Sequence, residues 1–333
     1  MKRVLVIATG GTIASMPEAD GLAPALTGTE LVTRVPLIDG LCHMDVIQPM
    51  NIDSTNMRPR DWMLIAREIA TAYDRYDAFV ILHGTDTMAY TAAALSYLIQ
   101  GSPKPIVLTG SQQPMANPFT DAKLNLYHSL LWATDDRSSD VCIVFDGKVI
   151  AGTRARKQRT MSFNAFTSVN YPPLAYLRGD RVARAAGMPI VDTREAPRVY
   201  GELDDRVIVI KLTPELRPSI FGLLRDDYRA IVLETFGIGG IPEYEGGSFR
   251  EAIFSWVESG RTLVLTTQVP EEGLDLGVYE VGRAYANHPG ILRGDDMTIE
   301  ALVAKTMWAL GGSPSADKVS ERFYRVINHD RTA

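Results

Sequence analysis

Four short continuous apolar runs, Arg3–Ala8, Ala78–Leu82, residues 105–108 and Val141–Phe145, punctuate the first 145 residues, and a helix-forming stretch separates each from the next. A run without polar alternation is the pattern of a strand covered on both faces, and such strands belong to parallel sheets. Parallel neighbours need a long crossover, so the intervening stretches read as helices and the whole as βα units of a doubly wound sheet. Pro59 opens the helix at 60–72, Gly101 and Pro103 end the small and apolar stretch 87–99, and Asp121 leads into 122–133. Asp146-Gly147, between Val141–Phe145 and residues 149–151, reads as a hairpin turn. From about 181 to 205 the pattern dissolves into Gly, Pro and charged residues, then restarts at 206–212, 230–233 and 261–266. The expected architecture is α/β, with a larger N-terminal doubly wound domain over residues 1–190 and a smaller C-terminal α/β domain over residues 191–333.

The 333 residues exceed what one typical core supports, which agrees with two domains. A formal net charge of -6 argues against a general nucleic-acid binder, because neutralising phosphates requires a basic surface. No apolar run approaches membrane-spanning length, and the stretch after Met1-Lys2-Arg3 is too short for a secretory signal, so a cytoplasmic protein is expected. Cys42 and Cys142 are far apart, each within or beside an apolar run, which suits buried thiols in a reducing compartment.

Ligands on open α/β sheets gather at the carboxyl ends of the strands. Two glycine turns stand there: Thr9-Gly10-Gly11-Thr12 after the first run, and His83-Gly84-Thr85-Asp86-Thr87 after the second. Gly10 and Gly11 alone would equally suit a phosphate cradle or a tight strand-to-helix turn. The third glycine of a dinucleotide fingerprint and the Gly-Lys-Ser/Thr of a P-loop are both missing, which weakens a nucleotide reading. Two hydroxyls, a carboxylate and an imidazole within five residues are more than packing requires, although Asp86 or Thr87 also suits a helix cap. A threonine hydroxyl attacks only once a base removes its proton. One lysine of the basic run Arg154-Ala155-Arg156-Lys157-Gln158-Arg159, drawn inward beside an aspartate, would supply that base, although such runs are most often solvated faces. The polar turn Asp53-Ser54-Thr55-Asn56 before Pro59 reads by itself as a capping cluster. Residues 15–26, with Pro17, Gly21 and Pro24, have loop chemistry suited to closing over a site. The five histidines show no metal spacing, so no metal is expected, and no Gly-X-Ser-X-Gly elbow suggests an ordinary serine hydrolase; no cofactor is expected either.

Taken together, TGGTIAS at 9–15, DSTNM at 53–57, HGTDTMAYT at 83–91 and TGSQQP at 109–114 closely resemble the bacterial and archaeal L-asparaginases. The resemblance continues through RARKQRTMSFNAF at 154–166, NYPP at 170–173, FGIGGIP at 236–242, TTQ at 266–268 and GDDMTIEALVAKTMWALG at 294–311. It implies an amidohydrolase that converts L-asparagine and water to L-aspartate and ammonia. By resemblance the nucleophile falls on Thr12, and the second catalytic threonine with its aspartate and lysine on Thr85, Asp86 and Lys157. Substrate contacts fall on Asp53, Ser54, Thr55 and Ser111, with Asp86 for the substrate ammonium and the turn backbones at Gly11 and Gly84. Amides around Gly11 and Thr85 are the expected oxyanion donors.

Where family members commonly place a lid tyrosine, this chain has Leu22; Tyr279, in Asp275-Leu276-Gly277-Val278-Tyr279, resembles the cytosolic members and is expected to approach Thr12 from a neighbouring subunit. Allosteric relatives carry an arginine near Glu234 and a cysteine near Val269; neither is present, so no asparagine-driven cooperativity is expected. The resemblance implies a homodimer or homotetramer, with neither nucleic acid nor membrane as partner. The nearest alternative is the ammonia-supplying, asparaginase-like subunit of the archaeal tRNA-dependent amidotransferase, which normally has an extra N-terminal domain; a first strand at residue 3 argues against it. A non-catalytic amino-acid sensor is the alternative of a different class.

Overall fold

The computed structural model describes residues 1–11, 13, 15–18, 21–24, 30, 35, 38, 40–185, 195–244, 247–277, 285, 288 and 290–332. The chain forms two compact units, Met1–Gly201 with Ile327–His329 and Glu202–Val326 with Asp330–Ala333.

The first unit is built on eight strands: β1 (Arg3–Ala8), β2 (His43–Ile47), β3 (Ala78–Leu82), β4 (Ile106–Thr109), β5 (Val141–Phe145), β6 (Lys148–Ala151), β7 (Ala175–Arg178) and β8 (Arg181–Arg184). They lie in the order β8-β7-β6-β5-β4-β3-β1-β2. The five strands from β2 to β5 are parallel, as the unbroken apolar runs require. The remainder is an antiparallel extension. It begins at the expected Asp146-Gly147 turn, where both residues take positive φ (49° and 68°), the signature of a type I′ hairpin. β3 and β5 are buried along their whole length, and β1 from Val4 onward. Strand order 2-1-3-4-5 reverses direction at β1 and β3, and the crevice beyond the carboxyl ends of that pair is where such folds bind ligands.

Helix α1 (Pro59–Ala72) starts on Pro59, is capped by the Asp61 carboxylate, which accepts from Arg58 N–H at 2.8 Å, and buries the stripe Trp62, Ile65, Ala66, Ile69 and Ala72. Helix α2 (Met88–Leu98) is buried almost all round, and its alanines and serine permit that position. Helix α3 (Ala122–Thr134) follows β4. Both cysteines are free and buried; burial pushes the Cys42 thiol up to about 11 and raises Cys142 further. One expectation fails here. The stretch read as a loop after the first glycine turn contains a two-stranded antiparallel pair, Ser15–Glu18 with Gly21–Pro24, in which Leu22 pairs with Pro17. Among the described residues no third strand joins this pair, and proline is tolerated on such an edge.

The second unit is a parallel sheet of β9 (Val207–Lys211), β10 (Ala230–Thr235), β11 (Thr262–Thr267) and β12 (Ile291–Arg293) in that order. The strand β12, only three residues long, has no counterpart in the sequence reading. Among the described residues it also holds helices α4 (Ile220–Leu223), α5 (Phe249–Glu258), α6 (Ile299–Leu310) and α7 (Ala316–Tyr324). Phe221, Phe249 and Trp256 meet edge to face in its core. In the middle of α6 a fully buried Lys305 pairs with the equally buried Asp330 and donates to the Arg325 carbonyl at 2.7 Å. Burial pushes this lysine down to about 8, against the opposing pull of Asp330.

Candidate active site

The two glycine turns are locked together by backbone. Thr9 donates both its N–H (3.0 Å) and its hydroxyl (2.9 Å) to the Leu82 carbonyl at the end of β3. The Thr9 carbonyl accepts from Ile52 N, and Gly11 N donates to Ile52 O at 3.0 Å, which ties the segment leading into the polar turn to the first glycine turn. Gly11 has φ +80°, and a Cβ there would collide with the Gly84 backbone; a Cβ on Gly84 would lie 2.5 Å from Ser54 Oγ. Glycine is therefore needed for close approach as well as for turning. The Gly11 N–H donates to Ile52 O, whereas the Thr85 N–H has no protein partner among the described residues.

The second turn gathers the chemistry. Lys157 Nζ donates to Thr85 Oγ1 at 2.8 Å and to Asp86 Oδ1 at 2.5 Å. Thr85 Oγ1 in turn donates to Gln112 Oε1 at 3.3 Å, and Gln112 Nε2 donates to the Ser162 carbonyl at 3.2 Å. The lysine side chain is 18% exposed and the aspartate 55%, so the pair stands at the wall of an open site. Asp86 does not cap α2; its Oδ1 holds the ammonium of Lys157. Thr87 occupies the N-cap position of α2 without a capping bond, and its hydroxyl donates to Ser54 O at 2.8 Å instead.

Lys157 is placed by the hairpin Ala155–Lys157 with Phe166–Ser168, where it pairs with Phe166, whose ring packs on Phe145 of β5. The basic run is thus not a solvated face over its whole length. Arg154 is fully buried, with Nε donating to His329 O and the guanidinium over the Tyr171 ring, while Gln158 and Arg159 are exposed.

His83 is buried completely. Its Nδ1 must carry the proton, because it faces the Gly84 carbonyl at 2.7 Å, and Nε2 then accepts from Thr91 Oγ1 at 2.9 Å. Burial, opposed by the Gly84 hydrogen bond, pushes its pKa down to about 4, so the ring is a neutral strut rather than a proton carrier near pH 7.

At the end of β4, Ser111 is buried and donates to Gln113 O at 2.5 Å. The carboxylate of Asp121, expected to cap α3, accepts the N–H groups of Gln112 and Gln113 at 3.0–3.1 Å, and Asn125 Nδ2 donates to Gly110 O at 3.0 Å. Gln112, Asp121 and Asn125 were not singled out for the site from sequence. Gln112 stood inside the TGSQQP motif, but nothing local marked its side chain as the acceptor for Thr85. In the polar turn, Asp53 Oδ1 accepts from both Thr55 N (2.8 Å) and Thr55 Oγ1 (2.9 Å), the local capping role, and Ser54 is buried against Gly84. Thr12 and Tyr279 lie outside the described residues, as does the side chain of Leu22.

An asparaginase N-terminal domain model matches residues 3–187, and a glutaminase/asparaginase C-terminal domain model matches residues 206–323. The chain belongs to the asparaginase family. It is 39% identical to an L-asparaginase of Thermococcus kodakarensis over 98% of both chains, and 34% identical to L-asparaginase 1 of Escherichia coli K12 over 99% of this chain and 98% of that one. The solved structure of the thermostable L-asparaginase from Thermococcus kodakarensis superposes with a TM-score of 0.92 at 38% identity, covering 99% of each chain. A glutamyl-tRNA(Gln) amidotransferase component of Metallosphaera sedula is 33% identical over 95% of this asparaginase-family chain and 74% of its own length.

Proposed function

We propose that the chain is an L-asparaginase that hydrolyses the side-chain amide of L-asparagine to L-aspartate and ammonia through an ester on Thr12. The observation that carries this reading is the Lys157–Thr85–Asp86 constellation at the carboxyl end of β3, against which the first glycine turn is packed. Thr12 follows Gly11 directly in the chain. The step requires Lys157 as the free amine: as the Thr12 hydroxyl attacks the amide carbon, its proton passes to Thr85 Oγ1 while Thr85 gives its own to Lys157 Nζ, and the relay then runs back to protonate the leaving nitrogen. Ammonia departs, and the same pair then removes a proton from the water that attacks the ester, releasing L-aspartate and restoring the threonine hydroxyl. The Thr85 N–H is the proposed oxyanion donor. Asp86 uses Oδ1 for Lys157, which leaves Oδ2 for the α-ammonium of the substrate. Ser54, Ser111 and the Gly84 backbone form the remaining wall, and Asp53 and Thr55 hold its polar turn in shape.

The same reading assigns Tyr279 as a proton acceptor supplied across a homodimer or homotetramer in the cytoplasm; unchanged turnover in Tyr279→Phe would remove that role. Among the described residues no helix is long and apolar enough to cross a membrane. Ammonia release from L-asparagine and L-glutamine, measured side by side for wild type, Thr12→Ala and Lys157→Ala, tests the whole proposal. Asparagine turnover abolished by both substitutions supports it. A preference for glutamine assigns the chain to ammonia supply for an amidotransferase, and tight amino-acid binding without turnover assigns it to sensing.

A further inference from the structure

Far along the chain from these motifs, the second unit holds a cavity of about 310 Å³ whose lining includes Arg206, Arg225, Arg229 and Arg261 and a single carboxylate, Asp226. Three of these arginines immediately precede β9, β10 and β11. The first residues of those strands are paired in register, Val207 with Ala230 and Ala230 with Thr262, so the arginines form a row at the amino-terminal edge of the sheet, one strand spacing apart. Like charges on neighbouring strands repel, and a chain with a net charge of -6 has no general need of such a row.

The row is braced but not neutralised. Asp204 accepts from Arg206 Nε and Nη2 (3.0 and 2.8 Å) and from Arg229 Nη1 (3.3 Å), so one carboxylate serves two guanidinium groups. Arg261 stacks on Trp256 and donates to the carbonyls of Arg225 (2.6 Å from Nη2) and Tyr228 (3.3 Å from Nε), which fixes the opposite wall. Arg225 Nη2 donates to Ser255 Oγ at 2.8 Å, and no carboxylate lies within 4.0 Å of this guanidinium among the described residues. Its Nε is buried with no acceptor. Nη1 of Arg206, Nη1 of Arg225 and Nη2 of Arg229 likewise lack a protein acceptor among the described residues. An adjoining cavity of about 180 Å³ shares Arg229, Gly260 and Arg261 and is otherwise lined largely by apolar groups, among them Val257, Leu292, Leu310 and Val319.

We propose that this basin is a binding site for a phosphate monoester, with the phosphate among Arg206, Arg225 and Arg229 and a small ring or apolar remainder in the adjoining cavity. A phosphate monoester presents three free oxygens and up to two charges to three guanidinium groups, whereas a carboxylate offers two oxygens and one charge. The site is independent of the proposed amide hydrolysis, so it stands or falls separately.

Isothermal titration of the full chain with phenyl phosphate, inorganic phosphate and succinate, at ionic strength fixed with sodium chloride, tests it. The expected result is saturable one-site binding of phenyl phosphate, weaker binding of inorganic phosphate and none of succinate. Arg225→Gln and Arg229→Gln should each weaken phenyl phosphate by about tenfold or more. Ala316→Leu, which keeps every charge and narrows the adjoining cavity, should weaken phenyl phosphate and leave inorganic phosphate unchanged. Circular dichroism identifies any arginine variant that fails to fold, and Ala316→Leu then decides alone. No saturable binding to wild type, equal affinity in the arginine variants, succinate binding as well as phosphate, or inorganic phosphate matching phenyl phosphate would each overturn the assignment.

Discussion

Adding one methyl group at Gly84 tests whether the contact between the two glycine turns sets the geometry of the reaction. An alanine Cβ at that position would lie 2.5 Å from Ser54 Oγ, 2.7 Å from Ser54 Cβ and 3.2 Å from Gly11 Cα. Carbon atoms rest about 3.5–4.0 Å apart, so the turn bearing Thr85 must move roughly 1 Å from the polar turn. Gly84 has an ordinary negative φ, so the effect is steric and carries no backbone strain. Overpacking of this kind costs about 1–3 kcal/mol of stability. A displacement near 1 Å in catalytic positioning lowers rate by about 10²-fold. Steady-state ammonia release at 25 °C, with thermal unfolding of the same sample, separates the two effects. Gly222→Ala is the matched control, because a Cβ there meets nothing within 4 Å and the site lies in the short helix α4. Gly84→Ala retaining kcat within about twofold of wild type would refute the positioning role.

Lys157→Met should lower kcat by about 10²–10⁴-fold, the range for losing a proton-transfer group, while shifting stability by less than about 1 kcal/mol because its partner Asp86 is more than half exposed. His83 is held unprotonated down to about pH 4 in the folded chain, whereas an unfolded histidine protonates near 6.5. The stability it contributes is therefore complete above pH 6.5 and is lost as pH falls towards 4, by roughly 3 kcal/mol in total; a ring titration near 6.5 by NMR would contradict this. Asp330→Ala strands the buried Lys305 ammonium and should cost about 3–5 kcal/mol by urea unfolding, most of it recovered in Lys305→Met/Asp330→Leu. Asn328→Ala removes the donor to Ser96 Oγ (2.9 Å) and Val141 O (2.8 Å) and should lower stability by about 1–3 kcal/mol.

The parallel core was legible because a strand buried on both faces leaves an unmistakable run, and the β5–β6 hairpin because Asp-Gly suits positive φ at both turn positions. The strand β12 was not, since three residues carry no period. Ser15–Glu18 with Gly21–Pro24 was hidden by its own Pro and Gly, which mark loops and edge strands alike. The meeting of Thr85, Asp86 and Lys157 was legible in the motifs; the partners of the neighbouring side chains were not. Thr87 and Asp121 are good N-cap residues by type, yet each is claimed by a group outside its helix, Ser54 in one case and the Gln112–Gln113 amides in the other. Similarly, nothing within Arg154 to Arg159 separates the arginine buried beneath His329, 175 residues away, from the lysine that reaches Thr85.

The placement of Ile327–His329 in the first unit has a consequence for the order of synthesis. Asn328 reaches Ser96 and Val141, and the His329 carbonyl receives the buried Arg154, three residues ahead of Lys157. The half of the chain made first is therefore finished last: a ribosome must deliver residue 329 before the arginine beside the lysine hairpin has its acceptor. Residues 1–201 expressed alone would expose that deficit, and a circular permutant that places 327–329 ahead of Met1 would give a continuous first unit.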